Sequence, residues 1–328
     1  TVILGTKLKE FGDSNFRMGG KPKIINDQLS MINNQFLVIE ADEWSASFLN
    51  YWPRIIVLTN IEKEHLDYYK NLRNLLKAFR EFIGHLPENG VLVANGDDKN
   101  TKKLKIKKEK SKIKIQNFSL RQKETKKLKK ILKVPGKHNI YNALAALAVG
   151  FSQGLDLSVM KSALEKVSGM PGRMEEIRNE KGFRIFVDYA HEPASLEEVY
   201  KTVKGLNPKK IISILGSQGG GRDKAKRPVL GRLAAKYTDY VIITNEDPYD
   251  EDPQQIINDV ARGALQVALC PVEKILDRRQ AIEKALSLAE VGDVVIITGK
   301  GSETVMAIKG GKKIPWDDRM VVKEILEK

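Results

Sequence analysis

The sequence has one cysteine among its 328 residues and no apolar run near the about 20 residues that a membrane-spanning helix needs. The single Cys270 cannot form an intramolecular disulfide, and no charged-then-apolar leader opens the chain. Thr1 is not a methionine and begins what reads as a strand, so we expect the natural start to lie upstream. These absences favour a cytoplasmic, globular protein without a membrane partner.

Basic residues outnumber acidic ones and give a formal net charge of +14. Clustered lysine and arginine can indicate nucleic-acid binding. Much of the excess lies between Lys99 and Lys137, without interleaved aromatic residues or a recognition motif. We interpret this stretch as a solvated surface and expect no nucleic-acid partner, although anionic substrates would benefit from the positive field.

Short apolar runs alternate with amphipathic segments along the whole chain. Runs typical of buried strands cover residues 35–40, 54–59, 90–95, 184–188, 210–215, 240–244 and 293–298. The segments between them predict helices, for example over 72–86 and 139–150, and residues 112–116 predict exposed edge strands. This alternation indicates the α/β class with mostly parallel sheets.

The length exceeds one typical compact core, so two domains are expected. Turn residues concentrate at Gly169-Met-Pro-Gly172, between two periodic regions. We therefore predict one domain over residues 1–168 and a second over 169–328.

Acidic clusters follow two strands of the first half. Glu40, Asp42 and Glu43 come directly after one strand, and a segment containing His65 follows the next. Mg²⁺ usually takes one or two protein carboxylates together with substrate phosphates. Acids at a helix N-terminus and a structural histidine are the alternatives, and the residues alone leave both open.

These motifs in this order resemble the central ATPase domain of the Mur ligases, which build the peptide of bacterial peptidoglycan. The matching segments are Glu40-Ala-Asp-Glu43, Ser45-Ala-Ser-Phe-Leu49, Thr59-Asn-Ile-Glu-Lys-Glu-His-Leu-Asp67 and Asn95-Gly-Asp-Asp98. The resemblance implies ATP and Mg²⁺ as cofactors, with Glu40 and His65 as metal ligands in the catalytic site. The sequences of these four segments are most similar to those of the branch that adds alanine to UDP-N-acetylmuramate.

Two further segments of the first half bear on this resemblance. Many Mur ligases carry a lysine carbamate on the helix after the histidine, but Arg80 occupies that place here, and a guanidinium cannot form a carbamate. The alanine-adding branch also lacks that lysine. Gly136-Lys-His-Asn-Ile-Tyr-Asn142 resembles the adenine-side motif, which implies that Asn139 and Asn142 lie near the base. A capped apolar helix is the alternative.

The second half resembles the Rossmann-like C-terminal domain of the same family. Pro171-Gly-Arg-Met-Glu175 and Val187-Asp-Tyr-Ala-His-Glu-Pro193 are similar to its signatures. By this resemblance Arg173 reaches the γ-phosphate, Asp188 binds the ribose and His191 lines the phosphate region. The planar, permanent charge of arginine suits phosphate oxygens.

Three later segments resemble the branch that adds the third amino acid to a UDP-N-acetylmuramoyl-dipeptide. They are Gly216–Pro228, Thr244–Pro253, and Gly299-Lys-Gly-Ser-Glu303 with Trp316-Asp-Asp-Arg319. The resemblance implies an amino-acid pocket in which Arg222 holds a carboxylate and acidic side chains surround an ammonium. The remaining pocket residues are then Glu246, Asp247, Gly299 and Glu303.

Tyr249 stands where diaminopimelate-adding members carry an arginine for the distal carboxylate. Loss of a bidentate arginine removes much of the recognition of a carboxylate. We therefore expect diaminopimelate to be disfavoured and lysine or another amino acid to be used.

The resemblance implies an ATP-dependent amide ligase that forms an acyl phosphate on a UDP-N-acetylmuramoyl-peptide, which a free amino acid then attacks. We expect a monomer that adds the third residue, with alanine addition as the alternative. The family's Gly-Thr-x-Gly-Lys-Thr phosphate loop has no counterpart in the sequence. The chain alone is therefore expected to be inactive, and an inactive Mur-ligase-like protein is a further alternative.

Overall fold

The computed structural model describes residues 2–8, 14–17, 36–104 and 112–327. Apart from the residues before 16, the chain forms two compact units, one ending at Ser168 and the other beginning at Gly169. Residues 105–111 of the lysine-rich stretch lie outside the described part. Among the residues that are described, no helix combines the length and the apolar character needed to cross a bilayer.

A small sheet near the start of the chain has the strand order β2-β1-β3. Its strands are β1 (Val2–Leu8), β2 (Ser14–Arg17) and β3 (Val38–Ile39). The prediction of a buried strand over 35–40 was wrong for its described part, because β3 has only two residues and both are exposed. Its one neighbour in this sheet is β1, and it does not join the sheet of the following strands.

The N-terminal unit, residues 36–168, contains a parallel sheet in the order β4-β5-β6. The strands are β4 (Ile55–Leu58), β5 (Val91–Asn95) and β6 (Lys114–Phe118). A 3₁₀ helix covers Trp44–Asn50. The helices are α1 (Leu66–Tyr69), α2 (Leu72–Gly84), α3 (Lys99–Lys103), α4 (Glu124–Ile131), α5 (Lys137–Ser152) and α6 (Leu157–Lys166).

Alternation along β5 explains how this sheet is covered. Leu92 and Ala94 face the apolar side of α2, whereas Val91 and Val93 face α5. Successive side chains of a strand point to opposite faces, so a continuous apolar run indicates a strand buried on both sides. The predicted strands at 54–59 and 90–95 and the helices at 72–86 and 139–150 are confirmed.

The C-terminal unit, residues 169–327, is built on a six-stranded sheet in the order β11-β10-β9-β12-β8-β7. Its strands are β7 (Glu175–Ile177), β8 (Arg184–Asp188), β9 (Ile211–Leu215), β10 (Tyr240–Thr244), β11 (Val272–Ile275) and β12 (Val294–Thr298), and β7 alone is antiparallel. A separate hairpin joins β13 (Val305–Ile308) and β14 (Lys312–Pro315). The helices are α7 (Pro193–Lys204), α8 (Lys226–Tyr237), α9 (Pro253–Leu265), α10 (Arg278–Leu288) and α11 (Asp318–Leu326).

Helices cover both faces of this sheet. Along β12, Val294 and Ile296 pack with side chains of α7, α8 and α9, whereas Val295 and Ile297 pack with α10 and α11. Each fully buried branched side chain contributes roughly 1.5–3 kcal/mol relative to exposure. The four longer predicted strands are confirmed, while the short strands β7 and β11 were not predicted.

Arg278 and Asp318 form a buried ion pair between the first residues of α10 and α11. Arg278 Nε and Nη2 donate to Asp318 at 2.8 and 2.7 Å. The same guanidinium donates to the carbonyl oxygens of Asn245 and Thr298, where β10 and β12 end. The pair therefore joins two helices to two strand ends.

We expect Asp318→Ala to lower the free energy of unfolding by about 3–5 kcal/mol, because it leaves Arg278 charged and buried without its carboxylate. Thermal unfolding followed by circular dichroism measures the loss. Lys210→Ala is the control, because it breaks an exposed ion pair. The Lys210 side chain is 55% exposed and that of its partner Glu290 is 75% exposed. Exposed pairs contribute at most about 1 kcal/mol, so equal losses in the two variants would contradict the prediction.

Candidate functional site

Four parallel strands of the C-terminal unit, β8, β9, β10 and β12, end at one edge of the sheet. Ligands of open α/β sheets bind outside such carboxyl ends. Among this unit's described residues, the buried side-chain atoms without a hydrogen-bond partner belong to Ser217, Gln218, Arg227 and Glu246. Such atoms are uncommon in native structures, and these four residues lie in or beside the loops that follow β9 and β10. This edge is the candidate site.

An internal ion cluster connects the loops that follow β10 and β12. Lys300 Nζ lies 2.8 and 2.9 Å from the two carboxylate oxygens of Asp247 and 2.5 Å from Glu303 Oε2. Asp247 Oδ1 also accepts a hydrogen bond from the Ala307 amide at 2.8 Å. The ammonium that Asp247 and Glu303 surround in this structure is therefore one of the chain's own lysines.

Glu246 precedes this cluster and differs from it in having no partner. Its side chain is 1% exposed, and neither carboxylate oxygen accepts a hydrogen bond. A Cβ atom added at Gly299 would lie 2.3 Å from Glu246 Oε2, and one at Gly216 would lie 2.9 Å from its Cβ. Glycine at both positions therefore makes room for this carboxyl group.

Burial, with a smaller effect of the neighbouring Asp247 carboxylate, raises the pKa of Glu246 to about 7. The charges of Arg278 and Lys300 act in the opposite direction. A carboxyl group with such a pKa is partly protonated near neutral pH, so it can either donate or accept a hydrogen bond.

Asp188, at the end of β8, is buried and already holds two backbone amides. Its Oδ2 accepts from the Met174 amide at 2.6 Å and its Oδ1 from the Ala190 amide at 2.7 Å. These bonds fix the turn that carries Arg173, whose guanidinium lies 4.7 Å from the centre of the Tyr189 ring. The structure thus brings Asp188 and Arg173 into one neighbourhood, with Arg173 exposed.

His191 lies beyond Tyr189 in the same loop. Burial lowers the pKa of its imidazole, and the cations Lys226 and Arg222 also lower it. A hydrogen bond to the Tyr189 carbonyl oxygen raises the pKa but does not offset these effects. Lys226 is itself buried and forms a short ion pair with Glu192. The neutral imidazole is therefore favoured at neutral pH, with a cation beside it.

Arg222 lies on the glycine-rich loop after β9 and is exposed. Glu251 holds this loop by accepting from the Gly221 amide at 3.1 Å, from Arg227 at 2.9 Å and from Lys224 at 3.1 Å. Burial would raise the pKa of Glu251, but these donors outweigh it and hold the pKa at about 2. The loop is thus anchored by charge, and the Arg222 side chain remains accessible to a ligand.

Tyr249 lies beside the same loop. Its backbone has a φ of 51°, and a Cβ atom added at Gly220 would lie 2.9 Å from its ring. Left-handed conformations are strained for aromatic residues and occur preferentially at functional sites. The Tyr249 ring therefore lies against the loop that carries Arg222.

The N-terminal unit contains a group of possible metal ligands. Glu43, Glu64 and His65 each offer one ligand atom, and these atoms lie within 4.8 Å of one another. His65 has a φ of 53°, and its Nε2 lies 3.5 Å from Glu43 Oε1. The Tyr69 hydroxyl donates to the Glu43 carbonyl oxygen at 2.6 Å and ties the 3₁₀ segment to α1.

Two carboxylates fit a Mg²⁺ ion that takes its remaining ligands from phosphates and water. The predicted pair was Glu40 and His65. In the described part of the chain, His65 belongs to the group above and Glu40 does not, so the assignment of Glu40 as a metal ligand stays a prediction. Glu40 follows the exposed strand β3, which is not part of the β4-β5-β6 sheet.

The predicted adenine-side asparagines lie in the first two turns of α5, which begins at Lys137 after Gly136. Asn139 Nδ2 donates to the Pro135 carbonyl oxygen at 2.7 Å, whereas Asn142 is exposed. The first contact is local, but it is not a helix cap, because the N-cap residue of α5 is Gly136 and no side chain of the described residues caps this helix. The amide oxygen of Asn139 can still accept a bond.

Asp97 belongs to the motif Asn95-Gly-Asp-Asp98, and in the structure it links three elements. Its carboxylate accepts from the Ser119 hydroxyl, the Leu120 amide and the Tyr141 hydroxyl at 2.9, 2.9 and 3.1 Å. Burial opposes its ionisation, but these donors prevail and lower the pKa. Asp97 thus fixes α5, and with it Asn142, relative to β5 and β6.

Arg80 lies in α2, and its guanidinium is directed at the end of α3. It donates to the carbonyl oxygens of Lys103 and Leu104, each at 3.1 Å. A cation at a helix C-terminus stabilises the unpaired carbonyl groups there. The arginine at the expected carbamate position therefore has a structural contact.

Sequence reasoning overlooked Lys300, Arg278, Lys226 and Glu251. Lys300 could have been found from the sequence, because it lies between two glycines directly after a predicted strand. The other three lie in or beside helices, where charged residues are usually solvated, so only the tertiary contacts distinguish them.

Two family profiles match the chain: the Mur ligase middle domain over residues 22–150 and the Mur ligase glutamate ligase domain over residues 172–301. The chain is 35% identical over 292 residues to the UDP-N-acetylmuramoyl-L-alanyl-D-glutamate–2,6-diaminopimelate ligase of Syntrophomonas wolfei, covering 83% of this chain and 59% of that protein. The chain thus spans less than two thirds of this relative's length.

Two solved structures share the fold. The UDP-N-acetylmuramate-alanine ligase of Thermotoga maritima has a TM-score of 0.67 at 20% identity, covering 99% of this chain and 68% of its own. The folylpolyglutamate synthase of Mycobacterium tuberculosis, complexed with ADP, has a TM-score of 0.63 at 19% identity, covering 80% and 65%. At these identities the likeness concerns the fold alone.

The raised pKa of Glu246 predicts a pH dependence of stability. The unfolded carboxyl titrates near 4.5 and the folded one near 7, so the favourable contribution present at low pH is lost as the pH rises through 7. We expect the melting temperature of Glu246→Gln, relative to the wild type, to increase from pH 5 to pH 8. The control is Glu290→Gln at an exposed position, whose difference from the wild type should stay constant. A constant difference for Glu246→Gln as well would contradict the assignment.

Proposed function

Because this chain belongs to the Mur ligase family, we propose that it is the ATP-binding and amino-acid-binding part of a peptidoglycan precursor ligase. The reaction is an ATP-dependent condensation of a UDP-N-acetylmuramoyl-peptide carboxylate with the amine of a free amino acid. The observation that carries this proposal is the edge of the C-terminal sheet, where Glu246 is buried without a partner beside Asp247, Lys300 and Glu303. We place this reaction in the cytoplasm.

We infer that the third amino acid of the peptide is the one added. The relative from Syntrophomonas wolfei is named for that step, and the match of 292 residues is longer than either unit of this chain. One relative of that branch therefore aligns with both halves. Alanine addition is suggested by motifs of the first half, but the comparison with an alanine ligase adds only a likeness of fold.

Phosphoryl transfer would use charged groups around the phosphates of ATP. Arg173, exposed and held above Tyr189, would contact the γ-phosphate of ATP, and Asp188 would accept from the ribose while holding its two amides. Carboxylate oxygens have more than one acceptor site, so both roles are compatible. Glu43, Glu64 and His65 would hold Mg²⁺, which supplies positive charge near the phosphates.

The near-neutral imidazole of His191 and the Lys226 ammonium would line the phosphate region. Asn139 and Asn142 would lie on the side of the adenine. The products are an amide, ADP and phosphate. No side-chain nucleophile is required, because the amine of the amino acid attacks the acyl phosphate directly.

The amino acid would be held by opposite charges at its two ends. Exposed Arg222 would pair with its α-carboxylate, and Glu303, whose side chain is 33% exposed, would accept from an ammonium. Asp247 is buried and bonded to Lys300, so it would not contact the amino acid directly. Gly299 leaves the space that Glu246 occupies.

Tyr249 and the relative's name favour different amino acids. The relative is named for 2,6-diaminopimelate, which differs from lysine by one distal carboxylate. Tyr249 offers a ring where a carboxylate would need a cation. We infer that lysine is preferred over diaminopimelate at this site.

The test of function is product formation by the complete gene product from UDP-N-acetylmuramoyl-L-alanyl-D-glutamate, ATP, Mg²⁺ and either amino acid. We expect phosphate release that requires all substrates and a new UDP-linked peptide by mass spectrometry. Arg173→Met should lower the rate about 100-fold or more, because a cation that contacts the transferred phosphoryl group is lost. Arg178→Met, at a nearby exposed position, should remain within about twofold of the wild type. Phosphate release that does not depend on the UDP-linked substrate would refute the proposal.

Tyr249→Arg should shift the ratio of kcat/KM for diaminopimelate to that for lysine by about tenfold or more towards diaminopimelate. The physical reason is a new guanidinium facing the distal carboxylate. Tyr249→Phe keeps the ring and should keep the wild-type preference. A wild type that already prefers diaminopimelate, or an arginine variant with an unchanged ratio, would show that Tyr249 does not set the choice.

A further inference from the structure

The Lys300 ammonium has three N–H donors, and three carboxylate oxygens lie within hydrogen-bond distance of it. Two belong to Asp247, at 2.8 and 2.9 Å, and the third is Glu303 Oε2 at 2.5 Å. The Lys300 side chain is 1% exposed. Lys300 therefore has no donor to offer to a substrate, and its effect must be exerted through the two acids.

The two acids differ in what they can still contact. Asp247 is 6% exposed at its side chain, and its Oδ1 also accepts from the Ala307 amide. Glu303 is 33% exposed, and its Oε1 is not bonded to Lys300 but lies 3.5 Å from the Tyr189 hydroxyl. Glu303 Oε1 is thus the oxygen of this cluster that is available to an incoming group.

The backbone around Lys300 restricts where its side chain can lie. Gly299 and Gly301 have φ angles of 106° and 53°, which favour glycine. A Cβ atom at Gly301 would lie 2.7 Å from Tyr189 Cβ and 2.9 Å from the Gly172 carbonyl oxygen. The loop therefore lies close against the segments that carry Gly172 and Tyr189, which limits where the backbone of Lys300 can lie.

The charges of the cluster do not cancel. One ammonium faces the two carboxylates of Asp247 and Glu303, which leaves one negative charge. Without Lys300 the two carboxylates would repel each other in a largely buried site, and Glu303 would lose the partner that orients it. The residual charge matches one ammonium group.

We propose that Lys300 is a positioning residue for the ligase reaction: it aims Glu303 Oε1 at the ammonium of the incoming amino acid and neutralises Asp247. The proposal rests on the function put forward above. It assigns one ammonium of the substrate to Glu303 and none to Asp247. Lys300 therefore affects the binding of the amino acid and has no direct contact with ATP.

The test measures KM for the amino acid, KM for ATP and kcat in the complete gene product with Lys300→Met. We expect KM for the amino acid to rise about tenfold to a hundredfold, because an oriented charged acceptor is lost, while KM for ATP stays within about twofold. Lys300→Gln, whose amide can still donate to the carboxylates, should fold even where the methionine variant does not. It should show the same selective rise with a smaller amplitude.

Val260→Ala is the matched control for a general loss of stability. Val260 is 0% exposed, lies in α9 and packs in the apolar core with side chains of α7 and α8. We expect it to lower the melting temperature without a selective change in either KM. The same selective rise in this control, equal changes in both KM values of the Lys300 variants, or a Lys300→Gln variant with wild-type KM values would overturn the proposal. A wild type that forms no product with any amino acid would instead refute the function itself, and this assignment with it.

Discussion

Arg278 is the contact on which the candidate site of the C-terminal unit depends. It binds the carbonyl oxygens of Asn245 and Thr298, at the ends of β10 and β12. The residues that follow these carbonyls are Glu246 and Gly299, so the separation of the two loops is set by one guanidinium. Asp318 balances the charge, which allows Arg278 to remain buried at this point.

The chemistry of this edge arises from carboxyl groups in unequal surroundings. Glu246 is buried without a partner, Asp247 is bonded to Lys300, and Glu303 shares that lysine but is partly exposed. The three acids thus differ in burial and in whether they contact the Lys300 ammonium. Such differences between neighbouring titratable groups are typical of sites that bind charged substrates.

In the N-terminal unit, unusual backbone conformations occur beside the polar groups. Ser45, Ala46 and His65 all have positive φ angles. The Tyr69 hydroxyl then fixes the segment that carries Glu43. Local strain is maintained by a surrounding hydrogen bond, as is common where ligands are bound.

Much of the architecture was accessible from the sequence. Short continuous apolar runs with helical segments between them predict parallel sheets, because a strand buried on both faces is apolar along its whole length. The strands β4, β5, β8, β9, β10 and β12 were predicted on this basis, and the order of motifs along the chain indicated the family. The short strands β7 and β11 were missed, because their sequences Glu-Glu-Ile and Val-Glu-Lys-Ile contain charged residues and form no apolar run.

The roles of individual charges were decided by tertiary structure. The sequence placed Asp247, Lys300 and Glu303 in two motifs about 50 residues apart, but it could not show that Lys300 lies between the two acids. Nor could it show that Glu43 lies beside Glu64 and His65, because these residues are separated in sequence and meet only in the folded chain. Residue types and their order are properties of the chain, whereas distance, burial and partnership depend on how strands distant in sequence meet at one edge.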